Sequence, residues 1–106
     1  MTNSVITLKV EGMATPLHVE LQQTRPWDLL EEEAHVSISR TAALLERAFA
    51  QMLKPYGITP TQYNVLRILR GAGAAGLCRN EVGARLVTPV PDVTRLLDRM
   101  ADLKLI

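Results

Sequence analysis

With 106 residues, 47% of them apolar, and a formal charge of +1, the chain is long enough for one small domain and ordinary in composition for a globular protein. A single cysteine, Cys78, excludes an internal disulfide framework and a cysteine-rich zinc site, and His18 and His35 are too few and too far apart to suggest a metal cluster. No apolar run approaches the roughly 20 residues that cross a bilayer, and the N-terminus lacks a basic region followed by an apolar one, so no membrane partner and a cytoplasmic location are expected.

Aromatic residues make up only 4% of the chain, and Ala, Leu and Val supply most of the apolar positions. That composition suits closely packed helices better than a sheet sandwich, so a mainly α fold is expected. Charge is unevenly spread. Residues 1–53 hold four Lys/Arg against seven Asp/Glu, whereas residues 54–106 hold eight against four, so a polyanion would bind the second half.

In chain order, Ile6, Leu8 and Val10 alternate with Thr7, Lys9 and Glu11, the period of a short strand. Gly12 breaks that run, and Met13 is a plausible alternative start of translation, which leaves residues 1–15 as an N-terminal extension to a single helical domain over 16–106. A short amphipathic turn or helix is expected from Pro16 to about Gln23. Thr24-Arg25-Pro26-Trp27 then reads as a break, with Trp27 packing the segment onto the body. Residues 28–54 predict the longest helix. Asp28, Glu31, Glu32 and Glu33 suit the positive end of its dipole. Ala34, Ile38, Thr41 or Ala42, Leu45, Phe49 and Met52 form an apolar stripe along it.

Pro55 and Gly57 stop that helix. The next opens with a capping box, Thr59 at the N-cap and Gln62 three residues on, with Pro60 in the first turn and Ile58 and Tyr63 as a hydrophobic staple. It is expected to run to about Arg70, with Tyr63, Leu66 and Leu69 inward. Gly71 to Gly76 reads as a flexible connector. A short helix at about 79–86 places Val82 and Leu86 inward, and Gly83 within it implies a close helix crossing, the geometry of a helix-turn-helix. After a turn over Val87-Thr88-Pro89-Val90-Pro91, the last helix is expected over about 91–103, burying Val93, Leu97, Met100 and Leu103.

The run from Ile58 to Arg70, the run from Leu77 to Leu86 and the block Val93-Thr94-Arg95-Leu96-Leu97-Asp98-Arg99-Met100 together resemble the MarR family of bacterial transcriptional regulators. The resemblance covers residues 28–106. Its most specific pieces are the opening Ile58-Thr59-Pro60-Thr61-Gln62-Tyr63 with the following Val65-Leu66, and the block that begins at Val93. It implies a helix-turn-helix of the winged-helix type, with a long N-terminal helix (28–54) used in dimerisation and a DNA-binding part over 58–106. The last helix would enter the major groove of double-stranded DNA. The family's wing and C-terminal dimerisation helices would follow Ile106, so the wing is expected to be absent and a homodimer to be weakened. The function implied is a repressor released by a small-molecule effector.

Arg95 and Arg99 lie four residues apart, on the helix face opposite Val93, Leu97 and Met100, and Thr94 borders them. Either a solvated face or DNA contact fits that pattern, and the resemblance favours contact. Asp92 and Asp98 weaken the electrostatics. Asp98 is expected to brace Arg95 or Arg99. Asp92 either caps the helix, the plainer reading, or accepts a hydrogen bond from a cytosine amino group. Thr88 is a candidate for a phosphate contact, and Pro89 and Val90 stand at the mouth of the helix, where the proline ring can touch a thymine methyl. Arg79 and Asn80 open the preceding helix, where free backbone N–H groups suit a phosphate. Arg85 reads as structural. Cys78 falls at or next to that N-cap, a place where a thiol can be redox-reactive. A small, partly buried substitute for a cap is the plainer reading.

The resemblance also implies a cleft for small aromatic acids or phenols, which Trp27, His35, Phe49 and Tyr56 could line, although apolar residues at this spacing are more often core. Catalysis is not expected. Glu31, Glu32 and Glu33 are consecutive and point around the helix, no base lies near Cys78 in sequence, and Gly71 to Gly76 lacks the lysine and Ser/Thr of a phosphate loop. No cofactor or metal is expected. The competing reading is an interaction module that pairs with another regulator subunit through residues 28–54 and does not bind DNA productively.

Overall fold

The computed structural model describes residues 15–106, so the strand expected at 4–11, the start at Met13 and most of the extension over 1–15 lie outside the described residues. Those residues form five α-helices and two short 3₁₀ turns, with no strand among them. The chain divides into two compact units, the first ending at Leu44 and the second running from Leu45 to Ile106, and the division falls inside the long helix. No helix among the described residues is long and apolar enough to cross a membrane.

In the first unit α1 (Leu17–Glu20) starts at Pro16, whose fixed φ of −56° suits a helix entrance and whose carbonyl accepts from the Val19 and Glu20 N–H groups. Gln22 then takes a left-handed φ of 57°. Its N–H and that of Gln23 close back on the Val19 and His18 carbonyls, a Schellman stop made without glycine. Thr24 to Leu29 is irregular, as Pro26 dictates. Trp27 is half-buried, and its indole N–H is buried without a partner. The long helix α2 (Leu30–Leu53) carries Arg40, whose Nε donates to Glu20 Oε2 at 3.2 Å and ties α1 to it.

The second unit takes up the end of α2. A 3₁₀ turn over Lys54–Tyr56 follows, and Gly57, at φ 71°, reverses the chain in a conformation that glycine adopts without strain. Thr59 Oγ1 accepts from the Gln62 N–H at 3.1 Å, and Gln62 Oε1 accepts from the Thr59 N–H at 3.0 Å, so the expected capping box is present. It opens α3 (Pro60–Ala72), which runs two residues past Arg70. The residues it buries most deeply are Gln62 and Val65, whereas Tyr63, Leu66 and Leu69 are half-buried. The expected flexible connector is instead a short structured turn. The helix continues through Gly71, and Gly73–Ala75 form a 3₁₀ turn bracketed by left-handed Gly73 and Gly76.

Helices α4 (Arg79–Arg85) and α5 (Val93–Asp102) complete the unit. Val65, Val82, Leu86, Leu97 and Met100 form its buried core, with Leu66, Leu69, Val90, Val93 and Leu105 packed around it. The close crossing inferred from Gly83 is there: a Cβ on this residue would lie 2.9 Å from Val93 Cγ2. Valine is β-branched and stiff about χ1, so it cannot swing aside cheaply. Gly83→Ala is therefore expected to destabilise the chain by about 1–3 kcal/mol despite alanine's better helix propensity. Urea unfolding should show this, and Val93→Ala in the same chain should recover most of the loss. A stabilised single variant would mean that the two helices do not cross this closely.

Two expectations for the last helix need correction. It starts at Val93 rather than Pro91, with Asp92 as its N-cap. Leu103 is not on the buried face but half exposed. The reason is the stop. Lys104 takes a left-handed φ of 59°, and the Lys104 and Leu105 N–H groups bond to the Ala101 and Met100 carbonyls, so Leu105 is the residue folded back onto the core.

Candidate nucleic-acid interface

α5 has two unlike faces. Val93, Leu96, Leu97 and Met100 turn to the core, and Thr94, Arg95, Asp98, Arg99 and Asp102 are exposed. Arg95 and Arg99 have no ion-pair partner among the described residues, so two guanidinium groups stand one turn apart on a free surface. Asp102 shares that side of the helix near its C-terminal end, which leaves the N-terminal part, around Thr94 and Arg95, as the part best suited to an anionic partner.

The acidic residues at this helix are accounted for. Asp92 is the cap: its Oδ1 accepts from the Arg95 N–H at 2.9 Å. Asp98 does not brace Arg95 or Arg99. It pairs with Arg79, whose Nη2 lies 3.1 Å from Asp98 Oδ1 across the two helices, because residues 19 positions apart meet where α4 crosses α5. Both side chains are more than half exposed, so the pair is weak, and its main effect is to hold Arg79 along α5. Arg79 therefore opens α4 already engaged with a carboxylate, whereas Asn80 beside it is exposed.

Thr88 and Pro89 are exposed in the turn between α4 and α5, while Val90 is half-buried and packs on the core. Val90 therefore anchors the turn instead of presenting its side chain outward. A residue that sequence spacing does not single out completes the turn: Asn64 on α3 accepts the Val87 N–H on its Oδ1 at 2.9 Å. This bond pins the approach to α5 from 23 residues away, and nothing local to either residue announces it.

At the start of α4, Cys78 is the N-cap and is exposed, not partly buried. Its backbone N–H donates to Glu81 Oε2 at 2.8 Å. That bond, with the Cys78 side chain and the positive charge of Arg85 adding to it, holds the Glu81 carboxyl below the usual carboxylate range. A lowered folded-state value means that the cap contributes stability above the unfolded value and loses it as pH falls through the lowered one. The protection of the Cys78 amide, its exchange measured against the intrinsic rate at each pH, is expected to be greater at neutral pH and to fall on acidification. Glu81→Gln, which still accepts the bond but does not titrate, should abolish that pH dependence. An amide whose exchange shows no such pH-dependent step in the native chain would remove Glu81 as its cap.

The four residues considered for a ligand are placed differently. In the first unit Trp27 lines an open depression with Gln22, Arg25 and Glu32, and His35 is exposed. In the second, Tyr56 is exposed and Phe49 stacks edge-on against Tyr63, ring centroids 5.2 Å apart. That aromatic pair lines a cavity of about 260 Å³ that also takes in Glu46, Arg67, Asn64 and Thr88. Tyr63, Asn64 and Arg67 are additions that helical spacing alone does not reveal. Among the described residues no group of three or more His, Cys, Asp or Glu is placed to hold a metal ion. Compared with protein-family models, with curated proteins and with solved structures, the chain shows no match.

Proposed function

We propose that the chain is a sequence-specific DNA-binding transcriptional regulator, a repressor of the MarR, winged helix-turn-helix type, with α5 entering the major groove. The observation that carries this reading is the exposed pair Arg95 and Arg99 on a helix whose opposite side is core. Three further features support it. α4 and α5 are joined by a short turn and cross closely at Gly83, Asn64 fixes that turn, and the half of the chain that contains them is net positive. Thr94, Arg95 and Arg99 contact bases or phosphates, Thr88 and Asn80 take flanking phosphates, and Pro89 touches a thymine methyl.

The cavity floored by Phe49 and Tyr63 is the seat for a small aromatic effector. Arg67 supplies a cation for its acid group, and Asn64 and Thr88 connect the seat to the turn before α5. The test is binding of the folded chain to genomic DNA fragments across a range of salt. Affinity is expected to fall steeply and log-linearly as salt rises. A folded chain that leaves DNA free at low salt would refute the proposal.

A further inference from the structure

The cavity beside the Phe49–Tyr63 pair is lined entirely by residues of the second unit, and its two charged members, Glu46 and Arg67, come from different helices. Glu46 is on α2, one turn before Phe49, and Arg67 is on α3, one turn after Tyr63. Each lacks a counter-ion on its own helix. The residues three and four positions from Glu46 are Ala42, Ala43, Phe49 and Ala50, and those around Arg67 are Tyr63, Asn64, Arg70 and Gly71. Among the described residues the two form no ion pair with each other or with any third group. Two opposite charges therefore line one cavity with space between them. Beside them the Phe49 and Tyr63 rings meet edge to face at 83°.

We propose that this cavity takes a ligand that is zwitterionic as well as aromatic, a single ring carrying an acid group at one position and an amine at another. The inference rests on reading the cavity as the seat of a small aromatic ligand, to which it adds the amine, and it does not depend on DNA binding. The α3 side receives the acid. Asn64 lies one turn before Arg67, and its Oδ1 already accepts the Val87 N–H at 2.9 Å, which sets the orientation of the amide and leaves its NH₂ end to donate. A carboxylate there meets a guanidinium and an amide donor together. The α2 side receives the amine, because the Glu46 carboxylate only accepts. The ring between them extends the aromatic pair. At about 260 Å³ the cavity is smaller than the roughly 300 Å³ at which pockets for drug-sized molecules begin, so it suits a single ring. An aromatic acid without an amine brings a second carboxylate into a cavity that already holds that of Glu46, and an aromatic amine without an acid meets Arg67. The site therefore selects against each half of the ligand by the charge that the whole ligand uses.

The test is a titration of the full chain at neutral pH without DNA, followed by the NMR signals of the Phe49 and Tyr63 rings. The probes are meta- and para-(aminomethyl)benzoate, benzoate and benzylamine. The better of the two zwitterions should bind about fivefold more tightly than benzoate or benzylamine, because both protein charges are exposed and an exposed ion pair adds at most about that factor. Glu46→Gln should bring the zwitterion level with benzoate, and Glu46→Lys should make terephthalate, a diacid, the tightest ligand of the set. Glu46 is exposed, so these substitutions leave the core untouched, and circular dichroism checks the fold. A merely structural role for Glu46 would change every ligand alike and would not invert their order. Benzoate binding the parent chain as tightly as the zwitterions would overturn the amine requirement and leave the aromatic seat standing. Ring signals that none of the probes shifts would overturn both, while DNA binding by α5 is read separately from its salt dependence.

Discussion

Replacing Arg95 and Arg99 together by alanine is expected to weaken DNA binding about 100-fold and to leave the fold intact. Hydrogen bonds to charged groups contribute about 1.5–3 kcal/mol each, so two of them amount to at least the roughly 2.7 kcal/mol that a 100-fold change represents. Neither side chain has an ion-pair partner among the described residues, so nothing in the fold is expected to suffer when they are removed. The slope of log affinity against log salt should also flatten by about 2, since each phosphate neutralised contributes about 0.9 to it. The control is Arg25→Ala with Arg47→Ala, which removes the same charge from the other half of the sequence. Equal losses in the two double variants would mean that DNA responds only to net charge and that α5 is not the reading element. Asp98→Asn gives a useful contrast. It frees Arg79 from its carboxylate, so any change it makes should be toward tighter binding.

Local chemistry makes the caps legible in the sequence. Thr59 and Gln62 specify a capping box by type and spacing alone, and Gly83 announced the crossing because a helix seldom tolerates glycine without a neighbour that needs the room. The stop of α5 was not readable for the same reason. A Schellman motif is recognised by its glycine, and here Lys104 takes the left-handed position, which moved the buried leucine from Leu103 to Leu105. Periodicity showed that α2 has an apolar stripe but not what covers each part of it. Phe49 stacks on Tyr63, and Ile38, Leu45 and Met52 are left exposed. At the candidate interface, Arg95 and Arg99 could be read from one helix by their spacing. Asn64 with Val87 and Arg79 with Asp98 could not, because each pair is made by the packing of separate helices.

The second large effect is on stability. Met100→Ala is expected to cost about 2–5 kcal/mol, because the side chain is fully buried and its removal opens a cavity that surrounding helices only partly close. That loss matters more here than in a larger protein. The cluster Met100 belongs to contains only four other buried residues, Val65, Val82, Leu86 and Leu97, and small domains have a total stability of about 5–15 kcal/mol. Met100→Leu, which keeps the volume, should cost less than about 1.5 kcal/mol. Urea unfolding at constant slope measures both, and a Met100→Ala chain as stable as the parent would contradict the packing described. The same residue joins the core to the candidate interface. Met100 is on the inner side of the helix whose outer side carries Arg95 and Arg99, and its backbone carbonyl receives the Leu105 N–H that ends that helix. Met100→Ala should therefore weaken DNA binding only in proportion to the fraction unfolded, with binding restored under conditions that restore the fold. Loss of binding by the Arg95→Ala/Arg99→Ala chain should persist under those conditions, because it removes the contacting groups and leaves their support in place.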